Sequence, residues 1–214
     1  MPGLKTMKTL SDIWFAARRA ARDLAQDRNG LAATEFAVIV PMMLVMFFGT
    51  VEYSSAVAVD RKVTLIARTL SDLTSQALSS VDDLYLQNVF TASIAIMSPY
   101  GPTPTKAQIT EIYVDSNKVA KVQWSRAATI GSAATQATLG TSTHNAGDVL
   151  TIPPELQVPK TYLIFSEVSY LYTPSVGYVM GIAGVTLGDV AYTRPRQNTC
   201  VLYNNTPSGC PTTS

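Results

Sequence analysis

The apolar and polar positions of this chain fall into three regions with different periods. Residues 31–51 read LAATEFAVIVPMMLVMFFGTV and hold one charge, Glu35; from Phe36 to Val51 there is none. A run that is apolar all round has no polar face to turn to water. Twenty-one residues of helix reach about 31 Å, close to the thickness of a hydrocarbon core. The run predicts a membrane-spanning helix, with a buried core helix as the alternative. From Val57 to about Ser80 the pattern becomes periodic. Val59, Val63, Ile66, Leu70, Leu73 and Ala77 recur at spacings of four and three. This is a narrow helical stripe, and Asp60, Arg61, Lys62, Arg68 and Asp72 populate the other faces. Residues 82–97 (DDLYLQNVFTASIAIM) predict a second, shorter helix. Asp82 and Asp83 stand at its start, where the helix dipole favours acids; they are not read as a catalytic pair.

The helical half ends in the breaker cluster Ser98-Pro99-Tyr100-Gly101-Pro102-Thr103-Pro104. Beyond it the period is two. Residues 109–114 (ITEIYV) and 118–125 (KVAKVQWS) predict strands around a turn at Asp115-Ser116-Asn117. In the second strand Ala120, Val122 and Trp124 are expected to face the core, with Lys121, Gln123 and Ser125 outward. Residues 127–148, rich in Ala, Thr, Gly and Ser, predict a surface loop, and Pro153, Pro154 and Pro159 a further irregular stretch. Residues 161–172 predict the strongest strand, with Tyr162, Ile164, Val168, Tyr170 and Tyr172 on one face. Residues 185–193 predict the last strand, after a loose turn marked by Gly177, Gly181 and Gly184. The expected fold class is α+β: a long N-terminal membrane-spanning helix continuing into an amphipathic helix, packed on a small antiparallel β-sheet. The expected boundaries are 1–30 for a leader, 31–55 for the transmembrane helix, 56–98 for the amphipathic helical region, 99–199 for a β-rich domain and 200–214 for a C-terminal tail.

Composition sharpens this picture. The 214 residues are 47% hydrophobic and only 14% charged, against about 25% charged in ordinary domains; mean hydropathy is +0.16. That balance excludes a purely disordered tail, and one long apolar run excludes a polytopic membrane protein. A net charge of +1 gives no sign of nucleic-acid binding. The charge is uneven. Residues 1–30 carry Lys5, Lys8, Arg18, Arg19, Arg22 and Arg28 against Asp12, Asp23 and Asp27, which leaves residues 31–214 with ten basic and twelve acidic residues. A basic flank before the span places the N-terminus in the cytoplasm and the larger part outside. The apolar run is longer than a secretory signal core and lacks an ordinary A-x-A site after it, so an anchor fits better than a removable signal of the usual kind.

Pro41 and Gly49 lie inside the span, where membrane helices tolerate both; Gly49 also permits close helix approach. Glu35 is the odd residue, because a carboxylate in an apolar span is costly unless it lies in the headgroup region or meets a partner cation. Its surroundings, Arg28-Asn29-Gly30-Leu31-Ala32-Ala33-Thr34-Glu35-Phe36, form a basic leader ending in Gly, a short apolar entry, then Glu-Phe and the span. This resembles a type IV prepilin processing site. The wider stretch from Gly30 through Pro41 to Gly49-Thr50-Val51-Glu52-Tyr53 resembles the TadE-like family of the tight-adherence (Tad) pilus system. The likeness covers about 25 residues. Two departures are Thr34, where an aliphatic residue is commoner, and a long leader.

The resemblance implies a pseudopilin or minor pilin with a pilin-like fold and no catalytic activity, needed for pilus assembly and so for adhesion and biofilm formation. It implies cutting between Gly30 and Leu31 by a prepilin peptidase. Gly lets the backbone lie flat in a protease site. The new amino group on Leu31 and the assembly carboxylate of Glu35 could then neutralise one another between packed subunits; Phe36 and Pro41 complete the motif. The implied partners are the peptidase, other Tad pilins and pseudopilins, and the membrane, with no nucleic acid, small-molecule substrate or cofactor. The implied location is the bacterial inner membrane, single-pass, with the C-terminal domain periplasmic or incorporated in the pilus. The amphipathic helix would then pack on its own domain, on neighbouring subunits, or on both. A second reading is an uncleaved single-pass protein whose outer domain binds a partner in the secretion machinery.

Two further features bear on chemistry. Cys200 and Cys210 stand near the C-terminus; in an oxidising periplasm they are expected to form a disulfide, with two free thiols in a frayed tail as the alternative. They lack the further ligands that a metal site needs. The single histidine, His144, lies in Thr-Ser-Thr-His-Asn-Ala-Gly. A remote third reading makes it part of a membrane-tethered hydrolase with Asp148 nearby, but no Gly-x-Ser-x-Gly elbow accompanies it, and an exposed loop His is expected.

Overall fold

The computed structural model describes residues 14–15, 18–23, 29–131, 134–174, 184–205 and 210. Lys5, Lys8 and Arg28 of the leader, and Gly177 and Gly181 of the expected turn, lie outside them. The chain divides into two compact units, residues 1–51 and 52–214.

The first unit is dominated by the start of helix α1 (Asn29–Ser75), which runs through Pro41 without ending. Its apolar side chains are exposed: Phe36, Val38, Met42, Val45, Met46 and Phe47 all keep more than half of their surface. Among the described residues this is one helix long and apolar enough to cross a membrane, near the N-terminus, with none of its apolar window buried. Apolar side chains bare over five turns have no stable place in water, so the helix fits a single-pass membrane protein. The core-helix alternative fails on that lack of burial.

The second unit is a helix-on-sheet layer. After β1 (Ser80–Val81) and α2 (Asp83–Ile94), which a 3-10 turn at Ala95–Met97 extends, come β2 (Lys106–Val114), β3 (Ala120–Thr129), β4 (Thr138–Gly140), β5 (Val149–Leu150), β6 (Thr161–Tyr172), β7 (Val185–Thr193) and β8 (Leu202–Tyr203). The main sheet is antiparallel in the order β4-β3-β2-β6-β7, with β5 also on β3; β1 and β8 form a separate parallel pair. This is the expected α+β class.

The stripe on α1 does what its period demands. Val59, Val63, Ile66 and Leu70 are wholly buried, against Ile109, Trp124, Ile164, Val168, Tyr170 and Tyr172 of the sheet and Leu86, Phe90 and Ile94 of α2. Each side chain withdrawn from water in this way contributes about 1.5–3 kcal/mol. Polar stitches fix the register. Ser166 Oγ donates to the Ala67 carbonyl (2.6 Å), and Ser71 Oγ reaches the Ile164 carbonyl (3.2 Å) and Thr193 Oγ1 (2.6 Å). Helix α1 stops at Ser75, before the expected Ser80. The Arg196 N–H takes the Ser75 carbonyl (2.9 Å), and Gln76 and Ala77 tighten the last turn with bonds to the third residue back. Ala77, last member of the stripe, is buried from this turn.

The second helix is shorter than 82–97. Asp82 is its cap, accepting the Tyr85 N–H at 2.7 Å, which satisfies an orphan donor of the first turn. Lys62 closes its far end, donating to the carbonyls of Ile96 (2.9 Å) and Ser98 (2.7 Å).

Four strand expectations need correction. β7 is not the last strand, since β8 (Leu202–Tyr203) follows it and pairs with β1. Ala120, Val122 and Trp124 are all buried but do not share one face. The ladder shifts between Glu111 and Ile112, pairing Trp124 with Glu111 and Val122 with Ile112, so Gln123 is an extra residue. A bulge of this kind reverses the alternation. Ala120 therefore packs with Ile112, Val114, Leu163 and Phe165 on the outer face, while Trp124 enters the main core. Residues 127–148 are not one loop: 127–129 complete β3, and Thr138–Gly140 pairs beside them as β4. On β6 the expected face is buried, but so are Leu163 and Phe165 opposite it, because β5, Pro154–Leu156 and Tyr192 cover that side.

Candidate functional site

The segment singled out by the sequence lies in the first turns of α1. Gly30 and Leu31 lie in the first described turn of α1. Gly30 has open space around its Cα. Glu35, Phe36 and Pro41 follow on exposed turns. Pro41 can donate no backbone hydrogen bond, which frees the Ala37 carbonyl. Thr50 Oγ1 bonds back to the Met46 carbonyl at 2.8 Å, so its hydroxyl is satisfied within the helix.

In the second unit α1 begins with Glu52, and Tyr172, the last residue of β6, donates its hydroxyl to Glu52 Oε2 at 2.8 Å. Burial, with the carboxylate beside it, pushes the Tyr172 phenol up to about 12. The bond ties the start of the second unit's part of α1 to the end of the sheet. Sequence reasoning named Glu52 only as part of a motif, and its partner lies 120 residues away.

A second polar cluster holds the C-terminal segment. Glu111 on β2 is 1% exposed. It accepts the Val201 N–H (2.6 Å) and Trp124 Nε1–H (3.0 Å); the same indole also donates to the Val201 carbonyl (2.6 Å). Burial pushes its carboxyl up to about 8, against the pull of both hydrogen bonds toward the charged form. Beside Val201, Cys200 is bonded to Cys210, with Cα atoms 5.7 Å apart. Farther along, Arg126 stacks over the Tyr203 ring at 4.5 Å and lies 3.6 Å from Asp83, which also accepts the Tyr203 hydroxyl. Glu111 was not picked out from the sequence; a lone acid within an otherwise apolar-flanked strand, ITEIYV, was the available signal.

His144 is not an exposed loop residue. Its side chain is 20% exposed, and Nε2 lies 2.8 Å from Glu167 Oε2, which also accepts Gln108 Nε2–H at 2.8 Å. Gln108 Oε1 in turn accepts the Thr143 N–H, and Ser142 Oγ accepts the His144 backbone N–H. The network fastens the 141–144 strap to the sheet. Asp148 does not join the ring; it accepts the Asn145 N–H at 2.7 Å. Among the described residues no hydroxyl bonds the imidazole, so a Ser–His arrangement is not formed, and no three His, Cys, Asp or Glu side chains converge as for a metal.

The family model described as TadE-like protein matches residues 30–70, which take in the exposed apolar turns of α1 and most of its docked stripe. No curated protein matches the chain, and no solved structure does.

Proposed function

We propose that this chain is a non-enzymatic pseudopilin or minor pilin of a Tad-type pilus, cut between Gly30 and Leu31 by a prepilin peptidase. The observation that carries the reading is the coincidence, within the matched residues 30–70, of a bare apolar helix start with a stripe buried on its own sheet. A subunit needs both: an apolar helix that lives in the membrane and then packs among other helices, and a folded domain that travels with it. In this reading Glu35 pairs with an amino terminus exposed by cutting, its own or a neighbour's. Membrane packing makes such a pair worth having, since an unpaired carboxylate there is costly. The second unit lies in the periplasm and the leader in the cytoplasm, as the basic flank favours.

N-terminal sequencing of the protein from the native membrane and the pilus fraction tests this. A mature chain starting at Leu31 is the expected result; a chain that keeps Lys5 and Lys8 in both fractions refutes processing. Glu35→Ala is expected to be cut normally and to be lost from the assembled fraction. Normal assembly of that variant would leave Glu35 with no role beyond solvation at the headgroups.

A further inference from the structure

We infer that β7 is a docking edge, on which an extended segment of a different subunit adds as a further strand of the main sheet. The inference rests on the assembly reading above. β7 is a nine-residue strand at the end of the sheet order, and among the described residues no strand pairs on its outer side. In an antiparallel ladder alternate residues bond to the neighbour and the others point away. Val190 shows which set points away, for its N–H turns to the carboxylate of Asp189 at 2.8 Å. By the two-residue period Thr186, Gly188 and Tyr192 belong to the same outward set. The usual protections of a long edge are missing: residues 185–193 hold no proline, no lysine and a single charge, Asp189, and Val185 and Val190 keep half or more of their surface.

The surroundings say what fits. A row of outward donors and acceptors at strand spacing is matched by another extended backbone, which would take over the Val190 N–H from the Asp189 carboxylate. Beside the edge runs a groove of about 570 Å³ lined by Arg68, Thr69, Asp72 and Leu73 of α1 and by Val190–Thr193. Asp72 is already paired with Arg196; Arg68 forms no ion pair among the described residues. The incoming strand therefore carries an acidic side chain toward Arg68. A second copy paired antiparallel through the same edge does not fit. Adjacent antiparallel strands are related by a two-fold axis perpendicular to the sheet, which would reverse the 52–75 stretch of α1 lying on it. The two Glu52 ends would then point in opposite directions, and both could not enter one membrane.

The test uses the full chain extracted in detergent, alone and within the assembled pilus fraction, with residue-resolved amide hydrogen exchange. The expected result is that Thr186, Gly188 and Val190 exchange at least about tenfold more slowly in the assembly, while the odd residues between them, already bonded to β6, change little. Val190→Pro removes one outward donor and is expected to cut incorporation about tenfold with the melting temperature kept, whereas Val190→Ala, which keeps the donor, incorporates normally. Arg68→Glu is expected to weaken incorporation as well. Should Val190→Pro not fold, the exchange pattern of the unaltered chain decides. A chain present in the assembly with these three amides unprotected overturns the edge inference and leaves the assembly reading standing; a chain absent from the assembly overturns both. Incorporation by contact between two β7 strands overturns the choice of partner and with it the inference.

Discussion

Replacing Glu111 with glutamine should change how the stability of the domain depends on pH. The carboxyl of Glu111 rises from an ordinary 4.5 to about 8 in the folded chain, with burial as the largest cause. Between those values the folded chain holds a proton that the unfolded chain releases. Stability from this group is therefore full below about pH 4.5 and is lost progressively as pH rises through 8. A shift of this size corresponds to roughly 3–5 kcal/mol across the window, at about 1.4 kcal/mol per unit. The variant has its own cost. Both Glu111 oxygens accept hydrogen bonds, from Val201 N–H and Trp124 Nε1–H, and an amide nitrogen cannot accept one of them. That loss amounts to about 1–3 kcal/mol at any pH. The native chain should therefore be the more stable at pH 5 and Glu111→Gln the equal or better at pH 9. Urea unfolding followed by tryptophan fluorescence at half-unit steps from pH 4.5 to 9 measures it, and the difference between the two chains cancels the other carboxylates. Parallel curves over that range would refute the reasoning, because they would mean that Glu111 ionises alike in both states.

Three further outcomes are expected. Leu70→Ala, which empties a wholly buried position between α1 and the sheet, should cost about 2–5 kcal/mol in urea unfolding. Cys200→Ser opens the Cys200–Cys210 loop and should cost about 2–3 kcal/mol, abolished as a difference when the native chain is measured in reductant. Gly184→Ala places a Cβ 2.6 Å from the Tyr172 carbonyl; since that neighbour is backbone, the variant should lose about 1–3 kcal/mol by thermal melting, and unchanged melting would show that the backbone at Gly184 yields.

Much of this protein was legible as local pattern. The long apolar helix was readable because an unbroken apolar run needs no partner to be recognised, and the docked stripe because Val59, Val63, Ile66 and Leu70 repeat at the helical period. The strands at 161–172 and 185–193 have the bounds that alternation gave them. Where two strands meet, pattern was not enough. The extra residue at Gln123 became visible only in the pairing of β3 with β2, since a single strand does not record where its partner slips. Burial of Leu163 and Phe165 depended on β5 and Pro154–Leu156 arriving over the outer face. The Glu52–Tyr172 bond, the hold of Glu111 on Val201 and the pairing of His144 with Glu167 join residues from 23 to 120 positions apart. The sequence by itself determined which segments are apolar, periodic or breaking, because those properties follow from neighbours along the chain. Only the tertiary structure decided which polar residues are anchors, because burying a charge or a donor is tolerable only where a distant segment supplies its partner.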